Sequence, residues 1–195
     1  MLRRRGYTSV MKAIATLASC QSALVATNVH WLRQALRLLE RLDDAVYSST
    51  PPGFAPHRPG SHLRHILEFY QCFLEGLDSS HIDYDARRRD VEIERNRDAA
   101  AAAIRVIIRT LQTRGALWQE RIVWVRMEDA QTSGVAECYM ESSISRELQV
   151  LSSHTIHHFA LIAMTLRAHG AAVDPDFGMA PSTLRYLASK TAEAA

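Results

Sequence analysis

Apolar residues recur at every third or fourth position from Val10 through Ile14, Leu17, Leu24, Val25, Val29, Leu32, Leu36, Leu39 and Leu42. That is the period of a helix with one buried face, and the spacing predicts a long first helix over about 9–47. The next stretch, SSTPPGFAPHRPG from Ser48 to Gly60, holds four of the six prolines. Proline lacks the amide donor and clashes with the preceding turn, so the helix cannot cross this stretch and a first crossover loop is expected there. Ser61 then stands in an N-cap position before Leu63, Ile66, Leu67, Tyr70, Phe73, Leu74 and Leu77, the stripe of a second helix over about 61–78. A polar break, SSHIDYDARRRD, leads to a third helix over about 87–114, with Val91, Ala99, Ala103, Ile104, Ile107, Ile108 and Leu111 facing inward and Gly115 as its stop.

Between Leu117 and Tyr139 the period changes. IVWV and VAECY are short β-branched or aromatic runs separated by DAQTSG, which predicts a small hairpin inserted before the last long helix. That helix is expected over about 141–169, ending at Gly170, and a short final helix over about 181–190 begins at Pro181 and Ser182. Four amphipathic helices with one proline-rich crossover and one insert predict an all-α fold, a four-helix bundle forming a single domain over 1–195. A chain of 195 residues with 47% hydrophobic content is long enough for one such core.

The charge balance narrows the partners. Twenty-three basic against 21 acidic residues leave a net +2, so no strong field favours nucleic acid or an anionic membrane, and partner choice falls to a local site. No apolar run reaches the roughly 18 residues of a membrane span. Cys20, Cys72 and Cys138 are odd in number and without CxxC spacing, which fits reduced thiols in the cytoplasm. The Arg cluster at the start runs without a break into the first helix, and is read as its beginning rather than as a targeting segment. Met11 offers a second initiation point.

Candidate chemistry concentrates in SSHTIHHFALIAM. His154 and His158 are four residues apart, so they project side by side about 5–6 Å apart at Cβ, within the arc shared by Leu151, Leu161 and Ile162. His157 lies at the edge of that arc. Two imidazoles facing a bundle interior need partners for their nitrogens, which hydrogen bonds would supply for core histidines and a metal would supply for ligands. His62 and His65, in SHLRHILEFY, offer a third ligand, and catalytic zinc sites commonly use three protein ligands and keep one position open. The helical wheel places His62 more squarely inward and His65 at the edge, without deciding between them.

HLRHI on the second helix combined with HxxxH on the fourth resembles the DinB-like, YfiT-type superfamily of metal-dependent enzymes. Matched residue by residue, the resemblance implies His65, His154 and His158 as ligands, with His62 and His157 as neighbours. It further implies a four-helix bundle, frequent homodimers, and zinc, nickel, iron or manganese as the ion. Characterised members include thiol-dependent transferases and isomerases. In this chain FALI follows His158 where many members carry RGQ-like residues, and no motif for a particular small thiol is present. The expected activity is hydrolase or transferase chemistry on a small molecule through water or a thiol activated by the ion. The competing expectation is a non-catalytic bundle whose metal is structural or vestigial.

Other residues qualify the site. Tyr84, Asp85 and Arg87, in the charged stretch Asp83 to Arg95, are candidates for positioning substrate, or else belong to a solvated helix start. Glu68, three residues after His65, is a candidate to orient an imidazole or is a plain surface carboxylate. Glu147 is a candidate fourth ligand or general base, or the partner of an arginine on the third helix. Cys72 reads as a small buried hydrophobe, and Trp31, Trp118 and Trp124 as packing residues. Phosphate loops, GxSxG and the Glu-x-x-His of di-iron bundles are absent from the sequence.

Overall fold

The computed structural model describes residues 2–54, 56–115, 117–127 and 138–193. These are mostly helical, with a small three-stranded sheet. Helix α1 (Leu2–Leu39) packs against α5 (Arg97–Gly115) and α6 (Ile144–Ala168), while α3 (Pro59–Gly76) lies against α6, α5 and the one-turn α4 (Val91–Arg95). The shared core holds Leu32, Ile66, Tyr70, Phe73, Ile104, Leu111, Leu148 and Leu151, all fully buried. All but Leu148 lie in the helical stripes read from the sequence, because each helix must hide one apolar face, whereas Val91, expected to face inward, is exposed.

One polar cluster ties the long helices together. The Tyr70 hydroxyl donates to Asn28 Oδ1 at 2.7 Å and lies 3.2 Å from Thr155 Oγ1, while Asn28 Nδ2 donates to the Leu148 carbonyl at 3.0 Å. Buried polar groups fix a helix's rotation more sharply than apolar contacts do, since a small slip leaves them unpaired. Thr155 is the chain neighbour of His154, so this cluster sets the face that α6 presents.

Several boundaries differ from expectation, each for a local reason. Helix α1 stops at Leu39, whose carbonyl accepts from Arg97 Nη1 at 2.8 Å, and a separate turn α2 (Asp44–Ser48) follows. Ser61 is not the N-cap of α3. The helix starts two residues earlier at Pro59, a residue suited to a first turn, and the Ser61 hydroxyl donates back to the Arg58 carbonyl at 2.8 Å. The expected third helix is split. Residues 87–90 are not helical, the Asp90 side chain caps α4, and the Asn96 side chain takes the amides of Asp98 and Ala99 at 2.9 and 3.2 Å to start α5. Short side-chain acceptors compete with the helical ladder in this way.

The sheet departs further. Strand β1 (His81–Asp83) arises in the segment read as a polar break and pairs in parallel with β2 (Ile122–Arg126), with His81 opposite Trp124. Strand β2 is the expected IVWV run, and its antiparallel partner is β3 (Met140–Ser143), which displaces the start of α6 to Ile144. Much of the run proposed as the second hairpin strand, VAECY, lies outside the described residues; Cys138 and Tyr139 are not in a strand. The final helix α7 spans Pro181–Glu193. Among the described residues no helix is long and apolar enough to cross a membrane.

Candidate metal centre

His65 comes from the middle of α3, and His154 and His158 from successive turns of α6. One nitrogen from each lies within 4.8 Å of the others, close enough to hold a metal ion. His65 Nε2 and His154 Nε2 are 3.0 Å apart. Two zinc–nitrogen bonds at a tetrahedral angle set that separation at about 3.3 Å, a few tenths of an ångström wider than this pair.

The neighbours of each imidazole differ. His158 Nδ1 lies 3.1 Å from His62 Nδ1, so His62 stands behind His158 rather than in the cluster of three. His154 stacks on Phe69 with ring centroids 4.0 Å apart, and its Nδ1 is buried without a partner among the described residues. His65 Nδ1 lies 2.6 Å from Arg87 Nη1. His157 is exposed.

Burial is the main influence on all four imidazoles. It lowers His62 and His65 to about 4, helped by the His57 and Arg87 charges respectively. His154 falls to about 3 and His158 to about 2, again through burial first and neighbouring histidines second. All four are therefore neutral at neutral pH, the state that offers a lone pair to a metal. Between the unfolded value of about 6.5 and the folded values near 4 and below, the unfolded chain binds more protons through these imidazoles, so their contribution to stability is full above pH 6.5 and declines as pH falls beneath it. The urea midpoint of metal-free protein is expected to drop between pH 7 and pH 5, and His154→Leu to lessen the drop. An undiminished drop in that variant would assign the slope to other groups.

The remaining candidates take other places. Glu147 is buried; its Oε2 accepts from the Tyr84 hydroxyl at 2.8 Å and its Oε1 from the Ser142 hydroxyl at 2.5 Å. It is neither in the histidine group nor ion-paired among the described residues. Tyr84 is buried and stacks on Phe69 at 4.8 Å, so Tyr84 and Glu147 support Phe69, which supports His154. Glu68 is buried rather than on the surface, and accepts from the Asp90 amide at 2.8 Å instead of orienting an imidazole. Cys72 is buried, and burial pushes its thiol up to about 11, which removes it as a nucleophile at neutral pH. Asp83 Oδ1 accepts from the amides of Asp85 and Ala86, folding the loop that carries Arg87 over α3.

Sequence reasoning missed Phe69, the aromatic wall between Tyr84 and His154. Its i+4 spacing from His65 was the available signal. A groove of about 670 Å³ opens beside His65 and His154, lined also by Phe69, Met127, Arg146 and Gln149. That volume is in the range of small-molecule sites.

Comparison with known proteins adds one partial likeness. The chain is 34% identical over 107 residues to FK506-binding protein 5 of Rhizopus delemar, a match that takes in 54% of this chain and 27% of that protein. The chain thus spans about a quarter of the curated relative it matches. No protein-family profile and no solved structure matches the chain.

Proposed function

We propose that the chain is a metal-dependent enzyme of DinB-like type, a four-helix bundle in which α1, α3, α5 and α6 are the four principal helices and His65, His154 and His158 hold a divalent ion. The observation that carries this reading is the convergence of neutral imidazoles from two separate helices beside a groove of small-molecule size. An ion on three protein ligands supplies Lewis acidity at an open position, which activates water or a thiol or polarises a carbonyl. Imidazole ligands suit zinc, nickel and iron, and the resemblance adds manganese.

This chain's residues divide the remaining work. His158 is the ligand with a ready acceptor: a proton on its Nδ1 donated to His62 Nδ1 leaves Nε2 free for the ion and fixes the ring. Phe69, held by Tyr84, covers His154 and keeps water from that flank. Glu147, engaged by two hydroxyls, leaves the fourth position to solvent or substrate. Phe69, Met127 and Val150 give the groove its apolar surface, and Arg146, Gln149 and Ser153 its polar side beside the histidines. Hydrolase or transferase chemistry on a small molecule is the reaction class this arrangement supports. A homodimer, also implied by the resemblance, would cover Ile122 and Trp124, which are exposed on β2.

The test is metal content by mass spectrometry on untagged protein incubated with zinc, nickel or manganese and desalted. Near-stoichiometric metal is expected in the wild type and loss in both His65→Ala and His154→Ala. A wild type that stays empty with every ion would overturn the reading. His62→Ala is expected to keep the site but weaken zinc binding about 10–100-fold, the usual effect of removing a residue that orients a ligand, with affinity measured by chelator competition. An unchanged affinity would show that His158 needs no orienting partner.

A further inference from the structure

Arg87 stands in an unusual position. It is half-buried, forms no ion pair with a carboxylate among the described residues, and its Nε is buried without a partner. Its guanidinium lies 5.5 Å from the Phe69 ring centre, and Nη1 is 2.6 Å from His65 Nδ1. A guanidinium has five donors and no acceptor, so His65 Nδ1 must present its lone pair to Arg87 and the ring proton must sit on Nε2. His65 Nε2–H can then donate to His154 Nε2 at 3.0 Å. This closed chain of hydrogen bonds leaves His65 unable to bind an ion through either nitrogen. Coordination through Nε2 moves the proton to Nδ1, where it faces the donors of Arg87. Coordination through Nδ1 puts the ion where Arg87 lies. In both cases the arginine must leave.

Resting on the three-histidine reading, we propose that Arg87 and the metal compete for His65, and that the displaced Arg87 becomes the receptor for an oxyanion of the substrate, a carboxylate or phosphate ester. The loop that carries it is pinned at Glu68 through the Asp90 amide and turned by Asp83, so the displaced side chain stays within reach of the groove wall at Phe69. A half-buried cation deprived of its acceptor needs an anion, and the planar fork matches a carboxylate or phosphate in two parallel bonds. Metal and oxyanion binding are then positively and reciprocally coupled.

The experiment titrates zinc, and separately benzoate and phenyl phosphate, into wild type, Arg87→Met and Arg87→Lys. Zinc is expected to bind Arg87→Met about tenfold more tightly than wild type. One or both oxyanions are expected to bind zinc-loaded wild type at least tenfold more tightly than the zinc-free protein, and to lose that gain in Arg87→Met. Arg87→Lys, with charge but no fork, should fall between, and it controls for folding. The probe that responds distinguishes carboxylate from phosphate. Equal zinc uptake in wild type and Arg87→Met overturns the competition while the metal site stands. Zinc-dependent oxyanion binding that survives in Arg87→Met places the oxyanion on the ion or on Arg146, which lines the groove, and overturns the receptor role. If neither protein takes up zinc, the three-histidine reading falls and this proposal with it.

Discussion

Zinc at a thousand times its Kd is expected to raise the free energy of unfolding by about 4 kcal/mol, and to leave His154→Ala nearly unchanged. The size follows from mass action, since an ion bound by the folded chain and not by the unfolded one stabilises it by RT ln(1 + [L]/Kd). The folded preference is strong here because His65 and His154 are separated by 89 positions in the chain yet 3.0 Å apart at Nε2. An unfolded chain would have to close that loop for each binding event. His154→Ala leaves His65 and His158, one ligand from each helix, and two imidazoles hold zinc far more weakly than three. Urea unfolding followed by tryptophan fluorescence, with and without zinc and then with chelator, measures the shift. A shift of equal size in the variant would place the zinc elsewhere, His57 and His157 being exposed alternatives.

Gly60→Ala is expected to destabilise the protein by about 3 kcal/mol, the upper end of ordinary overpacking. A methyl group there would lie 2.0 Å from the Glu94 carbonyl oxygen and 3.0 Å from Tyr47 Cε1. The carbonyl is backbone and cannot swing aside, and Tyr47 is held by its hydroxyl on the Ile93 carbonyl at 2.6 Å. Gly60 lies two residues before His62 in the first turn of α3, so any relief of the clash moves that helix against α4 and disturbs the histidines. At this chain length the loss amounts to roughly 2–4 °C of Tm per kcal/mol. Gly53→Ala supplies the contrast. Its position has φ +81 but nothing within 4 Å, so only the left-handed backbone is penalised, by about 1 kcal/mol. Thermal melts of the two variants decide the matter, and equal Tm values would mean that α3 yields easily at its start.

The amino-acid pattern alone determined that long helices occupy these stretches, though not where each begins and ends, because a 3.6-residue period over many turns has one stable solution, a helix with a buried stripe. It also determined that His154 and His158 share a face, since a spacing of four residues is geometry within one helix. The choice between His62 and His65 was not legible there. Both lie near the inner face of α3, and what separates them is the rotation and depth of α3 against α6, which Tyr70, Asn28 and Thr155 set through hydrogen bonds between distant segments. Strand β1 was hidden for a similar reason: three residues carry too short a pattern, and their partner stands some forty positions away. The splitting of the third helix had a visible signal in Asp90 and Asn96, but whether such side chains cap a helix or face solvent depends on competing contacts. Glu68, Glu147 and Arg87 each looked like surface or site residues in the sequence, and tertiary structure alone assigned their partners. Local periodicity is written in the chain because it repeats, whereas a single polar contact across the fold occurs once and depends on every element that brings its two ends together.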